Sequence, residues 1–294
     1  MIESLQGVFV PMVTPFTGQK LDTAMLAFNT ERLNETKVAG YMPLGSNGEF
    51  AHMNDDEQML VVNTVKKHSV EDKTLIIGIA RQSAYGTIEF GKKVQEVGVD
   101  FVSVLCPSYF ASLMTDAALI RYYTAIADEL EIPVLMYNCP KYAAGVTVST
   151  GVVRELSAHP NIWGMKDTSR GNIEQYLAAR QGDFEVIAGS ITNFLIGLKA
   201  GSSGGVLSMA NYLPDQCCRI QTLFDDGKME EAEALSSSLI ALNKGASGKY
   251  GVAGVKCAAD LFGYKGGEVR NPLSDCTTEQ REAIRREFRD AGYL

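Results

Sequence analysis

Scarcity says a good deal about this chain. It has three histidines, His52, His68 and His159, with no His-x-x-x-His or His-Glu-x-x-His spacing among them. A structural zinc site or a zinc hydrolase therefore has no ligand set to build on. The six cysteines, Cys106, Cys139, Cys217, Cys218, Cys257 and Cys276, form no Cys-x-x-Cys, so reduced and mostly buried thiols are expected. No apolar run approaches the roughly 20 residues that span a bilayer. The opening Met1-Ile2-Glu3-Ser4-Leu5-Gln6 lacks the basic and apolar regions of an export signal, which points to a cytoplasmic protein with no membrane partner. Lysine and arginine number 27 against 35 acidic residues, a net charge of −8, so the bulk field offers no attraction to nucleic acid. Walker A, Gly-x-Ser-x-Gly and kinase signatures are missing.

What remains is ordinary globular composition, 46% hydrophobic and 21% charged over 294 residues. Short apolar runs rich in Val, Ile, Leu and Met fall at 7–13, 40–44, 74–80, 101–106, 133–137, 162–166, 185–188 and 204–208. They show little polar alternation, as strands buried on both faces do. Helical patterns fill the intervals at 23–39, 55–68, 84–97, 116–130, 149–158, 172–180 and 193–200. Asn54-Asp55-Asp56-Glu57 and Thr115-Asp116 supply helix-start signals, and Gly40, Gly98 and Gly201 supply stops. Eight such units predict an α/β fold, a (β/α)8 TIM barrel. An open doubly wound sheet would want Gly-x-Gly-x-x-Gly after the first strand, and Val13-Thr14-Pro15-Phe16-Thr17 is not that. Further helical patterns at 214–226, 230–242, 252–262 and 278–290 complete the barrel and then extend it. The expected division is a catalytic barrel over 1–226 and a C-terminal helical segment over 227–294.

Active sites of such barrels lie at the C-terminal ends of the strands. That rule selects Gly45-Ser46-Asn47-Gly48-Glu49, Pro107-Ser108-Tyr109, Tyr137-Asn138-Cys139-Pro140, Lys166-Asp167-Thr168, Gly189-Ser190 and the last strand with Val206 and Ser208. Lys166 follows Ile162-Trp163-Gly164-Met165, so its stem leaves an apolar wall, where poor solvation lowers an amine's pKa. A free amine beside a phenol such as Tyr137 can attack a ketone and form a Schiff base, with the phenol relaying protons. The plainer alternatives are a lysine paired with Asp167 or snorkelling to solvent, and a tyrosine that plugs the barrel. The Gly45–Glu49 stretch offers backbone N–H groups for a carboxylate, or is simply a glycine-rich turn. Gly201-Ser202-Ser203-Gly204-Gly205 precedes a strand rather than capping a helix and reads as a turn.

In this order and spacing, Gly45-Ser46-Asn47-Gly48-Glu49, Tyr137-Asn138-x-Pro140 and Gly164-Met165-Lys166-Asp167 resemble the pyruvate-dependent class I aldolases, the dihydrodipicolinate synthase/N-acetylneuraminate lyase family. Gly7-Val8 and Val13-Thr14-Pro15-Phe16 are similar to that family's first strand. The resemblance runs essentially the whole chain. It implies that Lys166 is the Schiff-base lysine, that Tyr137 shuttles protons, and that Ser46 and Asn47 hold the substrate carboxylate. The family has threonine or serine at both of the last two positions, so Asn47 is a departure. It also implies that Tyr109 reaches into a neighbouring subunit's site, hence a homodimer or homotetramer, and that the backbone of Val206 lines the pocket for pyruvate, the small-molecule partner. No cofactor and no metal are implied.

The substrate reading turns on one position. Dihydrodipicolinate synthases carry an arginine two residues after the proline of Tyr-Asn-x-Pro, and here that residue is Tyr142, with Lys141 beside it. The segments 45–50, 159–167, 208–211 and 262–267 look closest to the 4-hydroxy-2-oxoglutarate aldolase branch. The expectation is a lyase that reversibly cleaves a 4-hydroxy-2-oxo acid, either 4-hydroxy-2-oxoglutarate or a 2-keto-3-deoxy sugar acid, to pyruvate and an aldehyde. The alternatives are 4-hydroxy-tetrahydrodipicolinate synthase, which condenses pyruvate with aspartate semialdehyde, N-acetylneuraminate lyase, and a non-catalytic pyruvate-binding scaffold.

Overall fold

A computed structural model describes residues 5–169 and 171–294; residues 1–4, part of the stretch read above for an export signal, lie outside the described residues. Eight parallel strands form a closed barrel: β1 (Gly7–Val10), β2 (Gly40–Tyr41), β3 (Thr74–Gly78), β4 (Phe101–Leu105), β5 (Val134–Asn138), β6 (Ile162–Asp167), β7 (Glu185–Ala188) and β8 (Gly204–Val206). Their hydrogen-bonded order is β1-β8-β7-β6-β5-β4-β3-β2. Helices alternate with them: α1 (Thr23–Asn34), α2 (Asp55–His68), α3 (Ala84–Gln95), α4 (Asp116–Glu129), α5 (Thr150–Leu156), α6 (Ile173–Ala179), α7 (Ile191–Ala200) and α8 (Pro214–Asp225). Beyond α8 the chain adds α9 (Met229–Gly245), α10 (Ser247–Leu261) and α11 (Thr278–Asp290). The predicted (β/α)8 barrel with a helical extension is the observed fold.

Local chemistry explains where the elements stop. Asn54 accepts from the Glu57 N–H while the Glu57 side chain accepts from the Asn54 N–H, so α2 starts where its capping signal stood. The α1 pattern ran to Ala39, but the helix ends five residues earlier, where the Thr36 hydroxyl and N–H both take the Leu33 carbonyl. The second strand stops at Tyr41 because Pro43 has no N–H to give a ladder and Leu44 turns to φ 58°. A short hairpin, Phe16–Thr17 against Lys20–Leu21, stood outside the sequence reading; Gly18 and Gln19 at its tip both have positive φ, as a tight hairpin turn demands. Among the described residues no helix is long and apolar enough to cross a membrane. All six cysteines are buried and unbridged.

The chain divides into two compact units. One, built mainly from Thr74–Val206, carries β3 to β8 with α3 to α7. Its strands β4 and β5 are buried along their whole length, as the missing polar alternation predicted. Between β5 and β6 the register slips at Val134/Leu135: Val134 pairs with Ile162, yet Leu135 pairs with Gly164. Trp163 is thus the extra residue of a bulge, 41% exposed and edge-on to Phe101. The other unit, Val8–Lys73 with Leu207–Leu294, carries β2, the hairpin, α1, α2 and α8 to α11. Tyr212, Phe262 and Phe288 form its aromatic cluster, with centroids 5.0 to 6.1 Å apart.

Candidate active site

The first unit holds the amine. Tyr137 on β5 and Lys166 on β6 are register partners, so their side chains leave the sheet on the same face. The bulge makes this so: without the slip at Trp163, Tyr137 would face Met165. Lys166 is 4% exposed, and its Nζ stands 4.2 Å from the centroid of the Tyr137 ring. Burial pulls the amine down from 10.5 to about 8, against a smaller opposite influence of the Cys139 thiol. Snorkelling to solvent is therefore ruled out for Lys166. The geometry supplies an amine that gives up its proton near neutrality, beside a phenol and shielded from water.

Alternation sends the next residues, Asn138 and Asp167, to the opposite face, where they build a buried support. Asn138 Nδ2 donates to Asp167 Oδ1 at 2.8 Å, and Ser169 donates to the same oxygen through its N–H and hydroxyl at 3.0 and 2.7 Å. Tyr176 from α6 accepts from Asn138 Nδ2 and donates to the Val148 carbonyl at 2.6 Å. Burial raises the Asp167 carboxyl and pushes the Tyr176 phenol up to about 12. Asp167 Oδ2 is buried and has no hydrogen-bond partner among the described residues. The network locks the ends of β5 and β6, one residue past Tyr137 and Lys166. Val206 closes β8 in this unit, buried at 1% exposure.

Tyr109, also in this unit, lies on the loop after β4 and is 80% exposed, its ring edge-on to Phe110 at 4.9 Å. Gln82 aims this loop: its Oε1 accepts from the N–H groups of Ser108 and Tyr109, both at 2.9 Å. Gln82 escaped the sequence reading because nothing local marks a glutamine that grips a loop 26 residues on.

In the second unit, Ser46 and Asn47 sit in a 3-10 turn, Ser46–Gly48, after β2. Among the described residues the buried Ser46 hydroxyl oxygen has no hydrogen-bond partner, and Asn47 Nδ2 donates to Ser208 Oγ at 2.7 Å. A Cβ on Gly48 would stand 3.1 Å from the Met12 carbonyl oxygen, which keeps that position small. Behind the turn lies a charge cluster of Glu49, Lys256 and Arg270. Lys256 was not singled out from the sequence, although it carries the same mark as Lys166, a lysine set in an apolar run, Val255-Lys256-Cys257-Ala258-Ala259. Among the described residues no group of three or more His, Cys, Asp or Glu is arranged to hold a metal ion.

A closed barrel that presents a dehydrated amine and a phenol at adjacent strand ends has the build of an enzyme. The comparison of sequences gives the lineage: the chain belongs to the dihydrodipicolinate synthetase family, whose model matches residues 4–291. It is 32% identical over 296 residues to a probable mitochondrial 4-hydroxy-2-oxoglutarate aldolase of Emericella nidulans, covering 98% of this chain and 95% of that one. It is 30% identical over 321 residues to the L-threo-3-deoxy-hexylosonate aldolase of Aspergillus niger, covering 97% and 94%. Among solved structures, dihydrodipicolinate synthase of Thermotoga maritima superposes with a TM-score of 0.93 over 98% of this chain and 99% of that one, at 24% identity, a likeness of fold. Family and relatives make this chain a lyase.

Proposed function

We propose that the chain is a class I aldolase that reversibly cleaves a 4-hydroxy-2-oxo acid to pyruvate and an aldehyde. The observation that carries this is the Lys166–Tyr137 pair: a buried amine held near pKa 8 over a phenol ring, on two register-matched strand ends. In this reading free Lys166 adds to the C2 ketone, and loss of water gives an iminium. Tyr137 carries the proton that leaves the C4 hydroxyl, the C3–C4 bond breaks, and its electron pair enters the enamine as the aldehyde departs. Protonation at C3 and hydrolysis release pyruvate and the free amine. Ser46 and Asn47 hold the carboxylate, which the buried Ser46 oxygen, without a hydrogen-bond partner among the described residues, and the amide on Asn47 support. Val206 lines the pyruvate pocket and Tyr109 serves the site of a second copy in a homodimer or a homotetramer.

The aldolase names of the relatives in Emericella nidulans and Aspergillus niger favour a hydroxy-oxo acid as substrate. A second reading, condensation of pyruvate with aspartate semialdehyde, draws on the 4-hydroxy-tetrahydrodipicolinate synthase of Caldicellulosiruptor saccharolyticus, 29% identical over 98% of this chain. Tyr142 speaks against it, since an uncharged phenol does not grip a second carboxylate as an arginine does. Borohydride reduction with pyruvate, followed by peptide mass spectrometry, tests the mechanism. A reduced adduct on Lys166 is expected; an adduct on another lysine, or none, defeats the reading. Pyruvate release from 4-hydroxy-2-oxoglutarate and from 2-keto-3-deoxy sugar acids, against consumption with aspartate semialdehyde, separates the substrates.

A further inference from the structure

Lys256 on α10 is 1% exposed and Glu49 is 4% exposed. Lys256 Nζ donates to Glu49 Oε1 at 2.5 Å and to the Glu268 carbonyl at 2.6 Å, and lies 4.6 Å from the Phe16 ring centroid. The second oxygen of Glu49 accepts from the Arg270 N–H at 3.0 Å and meets His52 Nδ1 at 3.2 Å. Arg270 then grips Glu57 with two nitrogens, each at 2.8 Å, and its guanidinium carbon lies 4.3 Å from the Phe16 ring centroid. One carboxylate directly after the Ser46–Gly48 turn is thus fastened to a helix 207 residues away and to the segment that follows it.

Such a pair is a poor device for stability. Dehydrating two charges offsets most of their attraction, and an apolar pair of the same volume often does as well. What it does supply is geometry. Glu49 stands at φ 54°, in the left-handed region that a glutamate does not favour, and the turn closes on itself through N–H bonds of 3.0 Å from Gly48 and 3.3 Å from Glu49. Anchoring the Glu49 carboxylate holds that residue, and the turn with it. Asn47 bonded to Ser208 fixes the other flank.

We propose that Glu49 and Lys256 are positioning residues that set the Ser46–Asn47 turn for the substrate carboxylate and take no part in the chemistry. This rests on the reading of that turn as the carboxylate cradle. The test uses three full-length variants, Glu49→Gln, Lys256→Met and the pair of changes together. The double change removes both charges, so it is expected to melt close to the wild type. The pyruvate concentration that half-saturates borohydride trapping on Lys166 is expected to rise about 10-fold in Glu49→Gln and to stay raised in the double variant. The trapping rate at saturating pyruvate is expected to stay within about threefold of the wild type. Amide hydrogen exchange over 46–50 is expected to quicken in the same variants. A double variant that is stable and binds pyruvate as the wild type does would overturn the proposal, because stability alone would then account for the pair. So would a fall in the saturated rate with half-saturation unchanged, or exchange over 46–50 no faster than in the wild type. A wild type that traps no pyruvate defeats the functional reading instead, and the exchange result still decides whether the pair holds the turn.

Discussion

A lysine amine with its ordinary pKa is about 0.03% free at pH 7, whereas one near 8 is about 10% free, a gain of roughly 300-fold in nucleophile. Lys166 obtains that gain from burial, so the gain has a cost in stability. The unfolded chain keeps an amine near 10.5 while the folded chain holds it near 8, so between these values the unfolded state binds more protons. Stability contributed at this site therefore rises as pH climbs from 8 to 10.5, and the whole penalty, on the order of 3 kcal/mol, is present below pH 8. Lys166→Met keeps the length and discards the charge. It is expected to be inactive and yet more stable than the wild type at pH 7 by roughly 1–3 kcal/mol, since loss of the contact with Tyr137 takes back part of the gain. Urea unfolding at pH 7 and pH 10 checks this: the gap should narrow at the higher pH. A less stable Met variant at pH 7 would mean that the amine is not paying a dehydration cost. The rate of borohydride trapping, followed in parallel, should climb with a midpoint near pH 8.

At the scale of an element, β6 decides which residue meets Tyr137. The bulge at Trp163 advances the strand by one, and Gly164 then lies so close to β7 that a Cβ there would stand 2.5 Å from the Glu185 carbonyl oxygen. Backbone cannot yield as a side chain does, so Gly164→Ala must push β6 away from β7. We expect a loss of roughly 2 kcal/mol in urea unfolding and slower trapping on Lys166, because the strand that carries the amine moves. Unchanged stability and trapping would show that the strand has slack there. This bulge also marks the limit of reading the sequence. Lys166 and Tyr137 were legible as strand-end residues, because charge and phenol interrupt apolar runs. That they face each other was not, since a run of buried residues has no alternation to fix its register. Helix α2 was found at its expected bounds because a capping residue marks its start. The second strand was overextended because its apolar run continues through Pro43, which the ladder cannot use. The Glu49–Lys256 pair was hidden for another reason: its partners are joined only by the fold.

Among the features of the whole molecule, the loop after β4 stands out for what it leaves in water. Tyr109, Phe110 and Leu113 are 80%, 62% and 65% exposed, a concentration of apolar area that a chain acting alone gains nothing by displaying. Gln82 holds this loop by two backbone N–H groups, so its outward aim is built in. If Tyr109 completes the site of a second copy, then activity belongs to pairs of chains, and two broken chains can repair each other. Lys166→Ala keeps a sound Tyr109 and loses the amine; Tyr109→Ala keeps the amine and loses the phenol. In a symmetric dimer each mixed pair then contains one whole site, made of Lys166 from one chain and Tyr109 from the other, beside one doubly broken site. Co-refolding the two inactive variants in equal amounts should restore about a quarter of wild-type pyruvate release, since half of randomly formed dimers are mixed and each has one working site of two. A tyrosine that served its own chain's site would give mixed pairs with two dead sites and no recovery at all.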